Sequence, residues 1–160
     1  FQLSTNEVIT AIYKSIKIKC NIVKIDENEN LNSKNSRALL NFGHTFGHAL
    51  EAKNTYKSNL KHGEAVLYGI IFATKLSKKL RLISDNKERK IIDHIFKVIK
   101  NYDHNKFKAK ELINYIIRDK KNDKNYIKFI LLKDIGKAFI SRNYNIKTVR
   151  GFLNSIDNDI

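Results

Sequence analysis

The 160-residue chain contains no proline and no methionine, and its only cysteine is Cys20. One cysteine cannot form an internal disulfide, and it excludes a zinc ribbon built on paired cysteines. No apolar run approaches the roughly 20 residues of a membrane-spanning helix, and the N-terminus lacks the basic and then apolar layout of a secretory signal. These absences predict a cytoplasmic protein without a membrane partner, in which Cys20 is a small, half-buried hydrophobic residue.

An initiator methionine is also missing, since the chain opens with Phe1, and we expect a piece of a longer protein. A length of 160 residues, of which 42% are hydrophobic, suffices for one domain with its own core. The absence of proline and of glycine-rich stretches argues against a flexible linker. Residues 1–160 are therefore expected to form one domain that exposes an apolar surface where the missing part would pack.

The charge is strongly positive, because 31 lysines and arginines outnumber 16 acidic residues and give a formal net charge of +15. Such a charge is compatible with a nucleic-acid partner. The lysines are dispersed along the chain, however, as on a solvated surface. The densest basic cluster, residues 118–124, is interrupted by Asp119 and Asp123 and lacks the interleaved aromatic residues that stack on bases. A basic nucleic-acid-binding helical module therefore remains the less favoured, non-enzymatic alternative.

Apolar residues recur every three or four positions along most of the chain, which is the period of an amphipathic helix. This pattern predicts a mainly α fold with helices at residues 5–24, 39–52, 62–80, 86–101, 111–117 and 148–156. The polar stretch at residues 26–35 predicts a surface loop. Residues 126–132 and 137–141 have the β-branched, apolar composition of strands and enclose a turn, so they predict one small β-hairpin near residues 126–141.

Histidines concentrate in one part of the chain, with three of the five between residues 43 and 69. His44 and His48 are four residues apart, so their imidazoles project from one face of a helix, a spacing typical of metal ligands. His62 lies at the start of the next predicted helix and joins the same pocket if the two helices pair. Spacing alone favours ordinary hydrogen-bonded histidines. With His62 and the nearby glycines added, a metal site and ordinary histidines are about equally open, whereas His94 and His104 have no such partners.

Glycines concentrate in the same region, where four of the six lie. Gly43 and Gly47 are also four residues apart and form a strip without side chains beside the histidine face. Such a strip allows another helix, a cofactor or a substrate to approach the backbone closely.

Two stretches of this region carry a specific resemblance to a known family. Residues 37–51, RALLNFGHTFGHALE, and residues 60–66, LKHGEAV, closely resemble the signature of the dehydroquinate synthases. Weaker similarity upstream, at residues 16–29, and downstream, at residues 118–121, extends the resemblance in consistent order over about residues 5–141.

The resemblance implies that the chain is the helical C-terminal domain of a two-domain enzyme whose NAD-binding N-terminal domain is absent. The implied activity is a lyase reaction that converts 3-deoxy-arabino-heptulosonate 7-phosphate to 3-dehydroquinate and phosphate, in the shikimate pathway to the aromatic amino acids. The implied cofactors are NAD and a divalent metal, zinc or cobalt, and the full-length protein is expected to be a homodimer. The isolated chain is expected to be inactive. Another sugar-phosphate cyclase, or an NAD- and metal-dependent polyol dehydrogenase of the same superfamily, is the alternative.

Individual residues are carried over by their match to the family's motif. His44 and His62 match its two metal-binding histidines. His48 matches a catalytic residue at the substrate, where it would bind a hydroxyl group or help to move a proton. The positions that match substrate contacts are Lys19, Arg37, Asn41 and one of Lys120 and Lys121.

One departure from the family's pattern affects the site, and a second is a loop variation that touches no site residue. The third metal ligand of the family is a glutamate that precedes the first helix of this chain, so only two of three ligands are expected here. If these residues supplied a third ligand themselves, Glu51 and Glu64 would be the first candidates. A short insertion, Asn32 to Asn35, also precedes Arg37.

Overall fold

The computed structural model describes residues 4–54, 60–99, 108–118 and 126–158, and it confirms the mainly α fold. The elements in chain order are helix α1 (Thr5–Ile25), the 3₁₀ helix η1 (Arg37–Asn41), helices α2 (His44–Asn54), α3 (His62–Lys79) and α4 (Asp85–Phe96), the 3₁₀ helix η2 (Ala109–Leu112), helix α5 (Ile113–Arg118), strands β1 (Tyr126–Asp134) and β2 (Lys137–Asn145), and helix α6 (Ile146–Asn158). Within these ranges, no helix is long and apolar enough to cross a membrane.

Helix α1 begins at a capping box, in which Glu7 N–H donates to Ser4 Oγ and Ser4 N–H donates to Glu7 Oε2. None of its residues is buried, because within the described chain it packs mainly on η1. The expectation that Cys20 is half-buried is therefore wrong, and the thiol is exposed. The expected exposed apolar surface is confirmed on this helix, where Ile12 and Ile16 keep more than half of their surface in solvent.

The helix expected at residues 39–52 is divided in two, which corrects that prediction. Ser36 Oγ accepts the N–H of Ala38 and starts η1, which ends at Asn41. Gly43 then adopts φ +83°, a left-handed backbone that ends the helical run, and α2 begins at His44. A 3₁₀ turn and a helix therefore occupy the segment where periodicity alone indicated one helix.

Helices α2 and α3 pair as the sequence suggested, and their backbones touch at glycines. A Cβ on Gly69 would lie 2.7 Å from Gly47 N, and a Cβ on Gly47 would lie 3.2 Å from Ala65 O. The sequence allowed another helix, a cofactor or a substrate to approach the glycine strip, and the structure shows that helix α3 does so.

The predicted hairpin is confirmed, with antiparallel pairing that includes Ile130 opposite Ile140. Strand β2 runs on to Asn145, beyond the predicted end at residue 141, and Asn145 Oδ1 then accepts Thr148 N–H at the start of α6. The hairpin covers the main core, where the Phe46 and Phe129 rings stack 5.2 Å apart. The largest fully buried side chains of this core are Phe46, Phe129, Leu50, Leu76, Leu112, Ile116, Ile127, Leu131, Leu153 and Val149.

Three other helix boundaries differ from the periodicity. Helix α4 ends at Phe96, and residues 97–99 form a turn closed by hydrogen bonds to Ile95 O, whereas the pattern indicated a helix to about residue 101. The segment expected at residues 111–117 begins as the 3₁₀ helix η2 and becomes α-helical only at Ile113. Helix α6 starts at Ile146, two residues before the predicted start.

Candidate active site

Three imidazoles meet where α2 begins beside the N-terminal turn of α3. The His44 ring centroid lies 5.5 Å from that of His48 and 5.8 Å from that of His62, and the His48 and His62 centroids are 6.4 Å apart. The left-handed turn at Gly43 separates η1 from α2, which begins at His44, and the glycine contacts between α2 and α3 bring His62 to the same place. The structure therefore groups the three histidines that the sequence singled out.

The tautomer of His62 follows from its neighbour Glu51 on α2. His62 Nδ1 lies 2.9 Å from Glu51 Oε1. An ionised carboxylate can only accept a hydrogen bond, so Nδ1 carries a proton, and in the neutral ring Nε2 is the nitrogen that has the lone pair. A histidine whose Nδ1–H is held by a carboxylate is the usual arrangement of a metal ligand that binds through Nε2.

His44 is half-buried, and its Nδ1 faces the carbonyl oxygen of Phe42 at 3.4 Å. A carbonyl accepts, so this long contact also favours a proton on Nδ1 and a lone pair on Nε2. Burial lowers the pKa of His44, and the neighbouring His48 and His62 lower it further, whereas the Phe42 contact and the Glu51 charge act in the opposite direction. The imidazole is therefore neutral at neutral pH, as metal binding requires.

The donor set suits a divalent transition metal but does not complete a site. Imidazole nitrogens are good ligands for zinc and cobalt. Among the described residues, no group of three or more histidine, cysteine or carboxylate side chains could hold a metal ion by itself. Glu64, one of the candidates for a third ligand, uses Oε2 to accept Lys61 N–H at the start of α3. Glu51, the other, faces the Nδ1 side of His62, away from Nε2.

The η1 helix carries Arg37 and Asn41, and both are half-buried. Arg37 N–H donates to Asp26 Oδ2 at 2.9 Å, and its Nη1 donates to the carbonyl oxygen of Glu27 at 2.6 Å. Because η1 ends two residues before Gly43, these side chains precede the histidine group directly in the chain.

Of the other expected substrate contacts, the structure describes only Lys19. Lys19 is exposed on α1, and no hydrogen bond or ion pair within the described ranges links it to the three histidines. Lys120 and Lys121 lie outside the described residues. Two residues that the sequence did not place at the site in their present roles, Asp26 and Glu51, hold Arg37 and His62.

Comparison with known proteins supplies an independent view of these residues. A family model described as 3-dehydroquinate synthase C-terminal matches residues 1–122. The 3-dehydroquinate synthase of Pelagibacter ubique (strain HTCC1062) is 40% identical over 157 residues, which cover 95% of this chain and 41% of that protein. The 3-dehydroquinate synthase of Endomicrobium trichonymphae is 40% identical over 144 residues, covering 88% of this chain and 38% of its own length. The chain thus spans about two fifths of the length of these relatives.

Solved structures resemble the same fold at lower identity. A crystal structure of 2-deoxy-scyllo-inosose synthase complexed with carbaglucose-6-phosphate, NAD+ and Co2+ superposes with a TM-score of 0.62 and 20% identity, over 74% of this chain and 34% of that one. A second crystal structure of 2-deoxy-scyllo-inosose synthase gives a TM-score of 0.58 and 19% identity, over 74% and 32% of the two chains. Both likenesses concern the fold.

Proposed function

The chain belongs to the 3-dehydroquinate synthase family, and we propose that it forms the metal- and substrate-binding C-terminal domain of a two-domain enzyme of that activity. The full-length enzyme would convert 3-deoxy-arabino-heptulosonate 7-phosphate to 3-dehydroquinate and phosphate. The observation that carries the proposal is the group of three imidazoles, 5.5 to 6.4 Å apart, directly after the arginine-bearing η1. The NAD-binding domain and a third metal ligand would be supplied by the rest of the enzyme.

His44 and His62 would hold zinc or cobalt through their Nε2 atoms. The crystal structure of 2-deoxy-scyllo-inosose synthase, which has this fold, is a complex with NAD+ and Co2+, and this supports both cofactor classes. When bound, the metal would polarise hydroxyl and carbonyl oxygens of the substrate as a Lewis acid. Glu51 and the Phe42 carbonyl would keep the two rings in the tautomer that this binding needs.

His48, Arg37 and Asn41 would contact the substrate itself. His48 is exposed and its ring lies one helical turn from His44, so it can hydrogen-bond a substrate hydroxyl or take its proton. The planar guanidinium of Arg37 suits two parallel hydrogen bonds to a carboxylate or phosphate. The amide of Asn41 can both donate and accept at a hydroxyl. Lys19, Lys120 and Lys121 stay predictions as further anion contacts, as do the homodimer and the cytoplasmic location.

The test is phosphate release from the seven-carbon substrate by the full-length enzyme, with NAD and zinc or cobalt supplied. His44→Ala and His62→Ala should each abolish turnover and metal binding, because each removes one imidazole ligand. His94→Ala is the matched control, since His94 is exposed on α4 and should leave turnover unchanged. Full activity in both ligand variants would contradict the metal assignment, and the 160-residue chain by itself should release no phosphate.

A second candidate, another sugar-phosphate cyclase, is favoured by the likeness to 2-deoxy-scyllo-inosose synthase. The same assay with a six-carbon sugar phosphate separates the two, because such a substrate has no carboxylate for Arg37 to bind. Turnover of that compound and none of the seven-carbon acid would favour the alternative. The nucleic-acid alternative instead requires sequence-tolerant binding at near-physiological salt that survives mutation of all three histidines.

A further inference from the structure

Asp26 is a buried carboxylate in a segment that the sequence marks as a polar surface loop. It follows α1 directly, and only 4% of its surface is exposed. A carboxylate is rarely buried to this extent unless its oxygens are hydrogen-bonded. We propose that Asp26 is a positioning residue for the substrate-anion site, which it builds by fixing Arg37, an inference that rests on the proposed function.

Both carboxylate oxygens of Asp26 accept main-chain hydrogen bonds from the loop that follows. Oδ1 accepts Asn30 N–H at 2.8 Å and Leu31 N–H at 3.1 Å. Oδ2 accepts Arg37 N–H at 2.9 Å, across eleven residues of chain. The single side chain therefore closes the loop and sets the place where η1 begins.

The guanidinium of Arg37 is held by the same short segment. Its Nη1 donates to the carbonyl oxygen of Glu27, the residue next to Asp26. Ser36 reinforces the junction, because its Oγ accepts the N–H of Ala38 and caps η1. The main chain and the side chain of Arg37 are thus both held by hydrogen bonds to residues at the end of α1.

The charge of Asp26 matters to this arrangement. Burial raises the pKa of Asp26, but the N–H donors of Arg37, Leu31 and Asn30 outweigh burial and hold it below its ordinary value of 3.8. The group is therefore ionised at neutral pH and accepts on both oxygens. An asparagine of the same shape would present an NH₂ group to at least one of these N–H donors and could not satisfy them all.

The loop that separates Asp26 from Arg37 increases the need for a hydrogen bond that fixes Arg37. Residues 32–35 are the insertion noted in the sequence, and they are exposed. A longer loop loses more conformational entropy when its ends are brought together, so an unfastened Arg37 would sample more positions. The ion pair of Glu29 with Lys128, at 3.6 Å, ties the loop to β1 but includes no residue of η1.

The decisive experiment is a double-mutant cycle in the full-length enzyme, measured with the seven-carbon substrate. Asp26→Asn should raise KM on the order of tenfold, as expected for loss of hydrogen bonds to a charged group, while kcat changes less than about threefold and metal affinity is unchanged. Asp26→Asn added to Arg37→Ala should raise KM no further, because Asp26 acts through the Arg37 side chain. Asp93→Asn, which removes an exposed carboxylate on α4, is the charge-matched control.

Other outcomes overturn the inference. Additive effects of Asp26→Asn and Arg37→Ala would show that Asp26 acts on stability in general, and a lowered metal affinity would place its effect at the histidines. If the Asp26→Asn variant fails to fold, amide hydrogen exchange of the unsubstituted protein tests the inference instead. Arg37 N–H should exchange on the order of 100-fold more slowly than the amides of Asn32 and Lys34, and equal rates would refute the inference. An unsubstituted enzyme that releases no phosphate contradicts the proposed function instead.

Discussion

At the scale of single residues, Glu51 determines which nitrogen of His62 can act as an acceptor. Its Oε1 lies 2.9 Å from His62 Nδ1, and an ionised carboxylate there has no proton to donate. Nδ1 must therefore carry a proton, and the lone pair of the neutral ring is on Nε2, directed away from Glu51. The carboxylate thereby selects both the tautomer and the ring orientation before any metal arrives.

Glu51→Ala is expected to weaken metal binding roughly 10- to 100-fold, which is the usual effect of losing such a partner. The loss follows because the His62 ring can then rotate and change tautomer. Cobalt titration of the full-length enzyme, followed by visible absorption, measures the affinity without any turnover. Glu111→Ala is the control, since Glu111 pairs with Lys53 rather than with a histidine. Equal affinities of the Glu51 variant and the unsubstituted enzyme would show that the contact does not orient the ligand.

Part of this residue-level picture could be predicted from the sequence. Periodicity placed His44 and His48 on one face, and the same rule points to Glu51, which lies seven residues after His44 and thus two turns further along that face. Asp26 offered no such signal, because a polar loop composition does not distinguish a buried carboxylate from exposed ones. Its role depends on three main-chain N–H groups whose positions only the folded loop defines.

At the scale of elements, the site depends on how closely α2 and α3 approach. Gly43, Gly47 and Gly69 let the two backbones touch, and any side chain there would meet main-chain atoms that cannot move aside. This contact fixes the distance between His44 on α2 and His62 on α3. The glycine strip is therefore a structural requirement of the histidine group rather than a cleft for a ligand.

Gly69→Ala is expected to lower the free energy of unfolding by about 3 kcal/mol or more, because overpacking against backbone lies at the upper end of such effects. The new Cβ would lie 2.7 Å from Gly47 N. Gly63→Ala is the matched control in the same helix, where a Cβ meets nothing within 4 Å, and it should change stability by no more than about 1 kcal/mol. Urea denaturation measures both. Similar stabilities of the two variants would mean that the helices do not pair this closely in solution.

The elements themselves could largely be predicted, but their ends could not. The 3.6-residue period located α1, α3 and most of α4, and the β-branched, apolar composition of residues 126–132 and 137–141 located the hairpin. The period cannot register a single left-handed residue, so it predicts a continuous helix across the break at Gly43. It also does not separate a 3₁₀ turn from an α turn, so it predicts an α-helix where η2 forms.

At the scale of the whole molecule, α1 stands apart from the rest. The main core joins α2, α3, η2, α5, α6 and the hairpin, and α1 contributes no buried residue to it. The apolar period of α1 predicted a helix with one packed face. Within the described residues that face meets little beyond η1, so the sequence pattern correctly predicted amphipathicity but could not show what covers it.

The exposed stripe on α1 should make the 160-residue chain self-associate, because the residues Val8, Ile9, Ile12, Tyr13 and Ile16 form a contiguous apolar surface. The net charge of +15 opposes association, but at about 0.15 M salt repulsion is screened beyond about 8 Å, whereas apolar contact is not. Sedimentation velocity should therefore show a concentration-dependent oligomer that Ile12→Lys shifts to monomer.

Ile135→Lys is the matched control for that change, since Ile135 is about as exposed as Ile12, at 52% against 55%, but stands alone in the hairpin turn. Both substitutions add one positive charge and remove one exposed isoleucine, so they differ only in whether the lost side chain belongs to the stripe. Equal dissociation by the two variants would mean that charge, not the stripe, controls association. A chain that stays monomeric at micromolar concentrations would show that the apolar face of α1 is too small to drive self-association unaided.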